Sequence, residues 1–273
     1  MKKMLVVNVE TWEECQSKFN ELEQYRSKLK SQKAPSIYIS PILFRGQPNA
    51  EWKLTTTLER YGRDNMFFSD YYRIISIAKT QIESFTGKLW EIPSYSEPDD
   101  FSIITKLQAY EYMIYLRHHG FPSPLLDWTK SPFIAAYFAF HNIPDKIPKV
   151  SIYAFIEDAG EGKMHMGGTP RITSRGPNVK THPRHFLQQC WYTTCTMQDD
   201  DHRHFFVFHE AMCSENSEEQ DLLWKINITS TERLKVLAYL DSININAFSL
   251  FGSEESLMET LALREFYLRK YEN

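Results

Sequence analysis

The chain has 273 residues, 42% of them hydrophobic and 24% charged, with a formal net charge of −4. Such a composition excludes a disordered chain, and the mild acidity excludes a broadly basic nucleic-acid binder. Aromatic residues reach 14%, enough to furnish a ring-rich core with polar tips left over for a ligand or a buried partner.

Residues 4–9 read as a short strand. Thr11 is placed to cap the helix that follows, with Glu13 and Glu14 in its first turn. Trp12, Cys15, Phe19, Leu22 and Leu29 recur at helical spacing, which predicts a helix to about residue 30. Residues 37–45 predict a strand broken or edged at Pro41 and ending in the Arg45-Gly46-Gln47 turn; residues 52–58 predict a second extended piece. Helical patterns follow over 65–90 and over 103–118, the second stopped by Gly120. The three prolines of 121–132 exclude a continuous helix. Residues 133–141 predict a small, aromatic, buried helix with Ser131 as cap and Pro132 at its first position.

The second half looks richer in strands, at 150–156, 205–209 and 222–228, with a long loop or weakly paired hairpin over 158–183. A helix through about residue 240 follows the cap segment 229–232, and a last helix runs from Ser253 to about 271. No repeat or linker interrupts the chain. The expected architecture is α+β: one mixed domain over 1–273, its helical N-terminal half wrapped around a β-rich core, with a C-terminal helical segment over about 230–271.

The four cysteines, Cys15, Cys190, Cys195 and Cys213, contain no C-x-x-C pair, so neither a disulfide framework nor a metal is expected. No apolar run is long enough for a membrane span or a signal-peptide core, and a cytoplasmic protein without a membrane partner is the expectation.

Two segments concentrate polar chemistry. Arg45 ends a strand beside a glycine, so its guanidinium is placed for a phosphate or carboxylate while Gly46 admits a ligand to the backbone. The alternative is a structural ion pair, with Asp127 as partner. The segment from Arg117 to Pro132 gathers histidines, an acid, a tryptophan and hydroxyls before a helix start, a natural anion site if Thr129 and Ser131 are not simply caps. A third region holds His182, His185, His202, His204 and His209; His202 and His204 would share a strand face at a spacing metals accept, but isolated surface histidines account for the pattern as well. The phosphate-loop, dinucleotide-fold, hydrolase-elbow and zincin signatures are missing.

Phe44-Arg45-Gly46-Gln47, followed by Trp52, Leu54, Leu58 and Arg60, resembles the FRG domain family, which carries an aromatic-Arg-Gly-Gln motif. Its second block, a His-Gly turn leading into Leu-Leu-Asp-Trp-Thr and a Ser-Pro-started helix, is similar to His119-Gly120 through Phe140. A looser third block is matched by Arg184 and Gln188, although this chain has Cys190 where the family usually has glycine. These core motifs span about 36–210. The family is widespread in bacteria and their phages. A weaker resemblance is to ADP-ribosyltransferases of the Arg-Ser-Glu type, in the order Arg45, then Thr129 and Ser131 before Ala135-Ala136-Tyr137-Phe138.

That second resemblance implies an ADP-ribosyltransferase-like core, NAD as cofactor, and catalysis through Arg45 and a carboxylate that steadies an oxocarbenium-like state. Gln188 stands where the glutamate is wanted and carries no charge; Glu210 is the substitute. The implied ligand contacts are Phe44, Gly46, Gln47, His119, Asp127, Thr129 and Ser131. Three readings remain open: an NAD-using transferase or glycohydrolase acting as a toxin or phage-defence effector on a protein or nucleic-acid target; a non-catalytic module for a nucleotide or phospho-ligand; and two purely structural motifs.

Overall fold

Residues 4–98, 107–160, 162, 169–176, 179, 183–210 and 220–269 are described by the computed structural model. Met4–Val9 forms β1 and Trp12–Gln32 forms α1. Thr11 caps α1 by accepting from the Glu14 amide, and Trp12, Cys15, Phe19 and Leu22 are its buried stripe. The strand expected over 37–45 is shorter and later: only Leu43–Gln47 pairs, as β2. Pro41 offers no amide to a ladder, and Ser40 bonds Asp158 through both backbone and hydroxyl. Residues 52–58 are not an extended ladder either. Thr56 and Glu59 form a capping box that starts α2, Thr57–Arg60.

Phe68–Thr86 forms α3, closed by Gly87 in the left-handed region. Tyr110–His118 forms α4; the expected start at 103–106 lies outside the described residues. Gly120, at φ +83°, turns the chain so that the Phe121 amide returns to the Leu116 carbonyl. Within the proline-rich stretch Leu126–Thr129 forms β3, and Pro132–Phe140 forms α5 with Ser131 as its cap. Then come β4 (Lys149–Asp158), β5 (Arg171–Arg175), α6 (Pro183–Leu187), β6 (Cys190–Gln198), β7 (His204–Phe206) and β8 (Gln220–Thr229). The C-terminal helices are α7 (Arg233–Ser242), α8 (Ala247–Phe251) and α9 (Glu254–Leu263), the last running on as a π-turn over Arg264–Leu268. Residue 271, the expected end, lies outside the described residues.

The strands make one mixed sheet in the order β1-β8-β4-β2-β3-β6-β5, with β7 on β6. Only β1–β8 is parallel among these pairings. The α+β class is as expected, with a largely helical first half and the longer strands in the second, but one sheet draws on both. β1, β2 and β3 come from the first half of the chain and interleave with β8, β4 and β6.

The joint between β2 and β3 is the weakest in the sheet. β4 pairs with β2 along all five residues of β2. β2 meets β3 at a single pair, Phe44 with Thr129, and beyond it the two strands diverge. Opposed residues share a face, so Phe44, Gly46, Asp127, Thr129, Cys190 and Tyr192 all project to one side. On that side α1, α5 and α7 cover the β1-β8-β4-β2 part, and α3 and α4 cover β6. A third cluster, including Leu43, Leu126, Trp128, Tyr153 and Phe155, fills the opposite side.

Gly46 is where α5 lies on β2. A Cβ built there would sit 1.9 Å from the Ala135 carbonyl oxygen and 2.6 Å from the Ala139 nitrogen. Both are backbone atoms, so nothing flexible can give way. Gly46→Ala is therefore expected to lower the unfolding free energy by about 3 kcal/mol, the upper end of core overpacking, read as a fall in the urea midpoint; an unchanged midpoint would contradict this packing.

Candidate functional site

The divergence of β2 from β3 leaves a cleft of about 350 Å³ between the α5 and α4 layers. Arg45, Arg117, Arg184, His118, Asp127 and Thr129 supply its polar lining, with Phe138 and Phe251 among the apolar walls. Arg45 crosses the gap. Its Nη1 donates to the Asp127 backbone carbonyl at 2.7 Å, a side chain doing what the absent strand pairing would have done. Its Nε is buried and has no protein partner. Burial, then the positive charges of Arg117 and Arg60, pull the guanidinium down to about 10 against the opposing charge of Asp127; it stays cationic at neutral pH.

The Asp127 carboxylate pairs with Arg117, not with Arg45. Arg117 Nε donates to Oδ1 at 3.2 Å and Nη2 to Oδ2. Burial pushes the Asp127 carboxyl up, but Arg117 and then Arg45 outweigh it and hold it below the ordinary range. The direct Arg45–Asp127 ion pair expected of a structural motif is thus replaced by a guanidinium–carbonyl bond and a separate Arg117–Asp127 fork. The cleft lining holds three arginines, Arg45, Arg117 and Arg184, and one carboxylate, Asp127. The cleft is electropositive and suits an anion.

The other expected site residues divide. Phe44, Gly46, Thr129 and Gln188 line the cleft. Phe44 is fully buried, edge-on to Phe19, and Gly46 is sized for α5, not only for a ligand. Thr129 Oγ1 accepts from the Ser131 amide, and Ser131 Oγ accepts from the Ile134 amide as helix cap. The hydroxyls therefore satisfy the helix start themselves. Gln188 donates to the Leu250 carbonyl and accepts from the Cys190 thiol.

Gln47, His119, Ser131 and Glu210 are not in the lining. Gln47 is buried and donates to the Lys53 carbonyl. His119 is exposed against the Tyr115 ring; burial, Lys88 and Arg184 lower its imidazole. Glu210 accepts from the Leu54 amide at 2.9 Å and stands near Lys225.

Sequence reasoning did not single out Arg117, His118 or Cys190 as site residues. His118 differs from His119 by one helical step, which swings it from solvent to the cleft. No local pattern couples Arg117 to Asp127 ten residues on. The histidine-rich region also separates. His202 lies in a turn at φ +61°, His204 bonds Glu97, and His185 and His209 are buried at different places; His182 lies outside the described residues. His185 instead joins His118 at the Tyr192 hydroxyl, at 3.2 and 2.8 Å, with Cys190 beside them. Burial pushes the Cys190 thiol up to about 12.

On the opposite side of the sheet, Trp128 Nε1 donates to Thr193 Oγ1, and that hydroxyl bonds His209 Nε2 at 2.8 Å. This run of bonds holds Trp128 in the core, as the sequence suggested, and buries a neutral imidazole close to Arg45.

Residues 40–146 match the family model for the FRG domain. The match takes in the Phe44-Arg45-Gly46-Gln47 block and the block running to Phe140, whereas Arg184 and Gln188 lie beyond it. No curated protein and no solved structure matches the chain. Among the described residues, no helix is long and apolar enough to cross a membrane.

Burial, then the Arg45 charge, pulls the His209 imidazole from its ordinary 6.5 down to about 3. Below pH 6.5 the unfolded chain takes up a proton at this residue that the folded chain refuses until about pH 3. Its contribution is thus complete above pH 6.5 and is lost as pH falls, by roughly 1.4 kcal/mol per unit. Chemical denaturation at several pH values should show this slope in the wild type and a flatter one in His209→Gln; equal slopes would contradict it.

Proposed function

Starting from the FRG domain that this chain carries at residues 40–146, we propose that the cleft binds a phosphate-bearing nucleotide of the NAD type. The observation that carries the reading is the Arg45 guanidinium at the divergence of β2 and β3, with its Nε unpartnered and Arg117 and Arg184 around the same cavity. A planar guanidinium with a spare donor in a partly dry cleft matches a phosphate oxygen better than an ammonium would. The Phe138 and Phe251 rings offer apolar surface to a base or ribose. A volume of about 350 Å³ falls in the range of small-ligand pockets.

Binding without turnover is the reading favoured here. Transfer from NAD calls for a carboxylate against the ribose as positive charge develops. Gln188 is neutral and bonded at both ends, and Glu210 is committed to the Leu54 amide outside the cleft. Asp127 is ionised but its charge is shared with Arg117. A catalytic form of the site, whether transferase or glycohydrolase and whether serving as toxin or phage-defence effector, would rest on Asp127.

Calorimetry with NAD, ADP-ribose, ADP and inorganic phosphate tests the proposal. Arg45→Met should weaken the nucleotide that binds by about 10- to 100-fold, the equivalent of one charge-assisted hydrogen bond. Asp127→Asn, which removes the competing negative charge, should preserve or tighten binding. No binding by any member of the panel, or equal affinity for Arg45→Met, would overturn the reading. Release of nicotinamide from NAD by wild type, lost in Asp127→Asn, would replace it with the catalytic one.

A further inference from the structure

We propose that His118, His185 and Cys190 form a zinc site in the floor of the cleft, with three protein ligands and a fourth position open to whatever the cleft holds. The three come from separate elements, α4, α6 and β6. Their ligating atoms, one nitrogen from each imidazole and the Cys190 Sγ, all lie within 4.8 Å of one another. His185 and Cys190 are buried, at 5% and 4% exposure, while half-buried His118 lines the cleft together with Cys190. The ion would therefore be held from below and reached from one side, the arrangement of a three-ligand zinc centre that keeps a position for a water or substrate atom.

The donor set selects the metal. Zinc binding displaces the Cys190 proton to solvent and breaks its bond to Gln188. Two imidazoles and the resulting thiolate are too soft for magnesium or calcium, which take oxygen, and suit zinc's tetrahedral preference. With zinc–nitrogen bonds of about 2.0–2.1 Å and a zinc–sulfur bond of about 2.3 Å, tetrahedral ligand atoms lie roughly 3.4–3.6 Å apart. From a spread of at most 4.8 Å this is a closure of about 1 Å, within reach of side-chain rotation.

Tyr192 accounts for part of the cluster without metal. Its hydroxyl lies 2.8 Å from His118 Nε2 and 3.2 Å from His185 Nδ1. One hydroxyl proton serves one imidazole and the other imidazole donates back, so both rings are aimed at the Tyr192 oxygen, which lies between them. Zinc binding moves this hydroxyl out from between the two nitrogens and exchanges its bonds for coordination. The Tyr192 ring, stacked on His185 at 5.7 Å and 13°, remains as a support that fixes the imidazole plane. One thiolate leaves a zinc ion with net positive charge, which adds to that of Arg45 and Arg117 and favours an anionic fourth ligand.

The site depends on metal binding alone and is independent of whether the cleft's ligand is a nucleotide. The test uses the full chain, purified without a metal-affinity step, stripped with chelator and titrated with cobalt(II) and then zinc. One equivalent of cobalt should give the visible bands of a tetrahedral ion together with a thiolate-to-cobalt charge-transfer band, both erased by zinc. Cys190→Ser should lose the charge-transfer band, and Cys190→Ser and His185→Gln should each weaken binding at least 10-fold. His119→Gln, one residue away but outside the cleft, should match wild type. Absence of the charge-transfer band in wild type, or unchanged affinity in both ligand variants, would overturn the assignment. Should the buried variants fail to fold by circular dichroism, the wild-type spectrum decides.

Discussion

The single residue pair between β2 and β3 is the constraint on which the rest of the site depends. A sheet zipped along its whole length would leave no room for a ligand between the helix layers on one face. Here β2 is committed to β4 on one edge and is held down by α5, whose backbone reaches Gly46 closely enough to exclude any side chain. β3 is committed to β6 along all four of its residues. Phe44 and Thr129 are left as the hinge point, and Arg45 spans the opening through the Asp127 carbonyl. The Arg and Gly of the motif thus have different tasks: Gly46 sets how close the helix comes, and Arg45 carries charge into the gap that results.

Charge in the cleft is arranged in tiers. Arg117 takes the Asp127 carboxylate, which frees Arg45 from an ion pair and leaves it with a neutral carbonyl partner. An arginine bonded to a carbonyl keeps its full positive charge for an incoming anion, whereas one neutralised by a carboxylate would have to give that partner up. His209, buried beyond Trp128 and Thr193, stays neutral partly because Arg45 is charged. Binding at Arg45 and the protonation of His209 are consequently linked in sign: an anion that offsets the Arg45 charge makes the imidazole easier to protonate.

Much of this was legible in the sequence, for reasons that can be located. Thr11, Ser131 and Ser253 announced helix starts because their oxygens have one local job that short-range patterns reveal. β4 and β8 were legible as runs of β-branched and aromatic residues. β6 was not: Cys190–Gln198 carries Thr193, Thr194 and Thr196 buried inside a strand covered on both faces, so neither alternation nor apolar content marks it. β3 was hidden by the prolines before it, and residues 37–42 looked like a strand that Pro41 prevents. At the site, Arg45, Asp127 and Thr129 were found because the motif blocks hold them. Arg117 with Asp127, and His118 with His185 and Cys190, were not found, since each set meets only after distant elements pack. Glu210 was proposed from its place at a strand end, and the fold gives it to the Leu54 amide instead.

A crystal structure of the protein grown with ADP-ribose or NAD tests the central claim most directly. The predicted result is a phosphate oxygen within hydrogen-bonding distance of the Arg45 guanidinium, in the gap between β2 and β3, with Arg117 still paired to Asp127. A ligand seated elsewhere, or a gap closed by further β2–β3 pairing with Arg45 turned away, would contradict it.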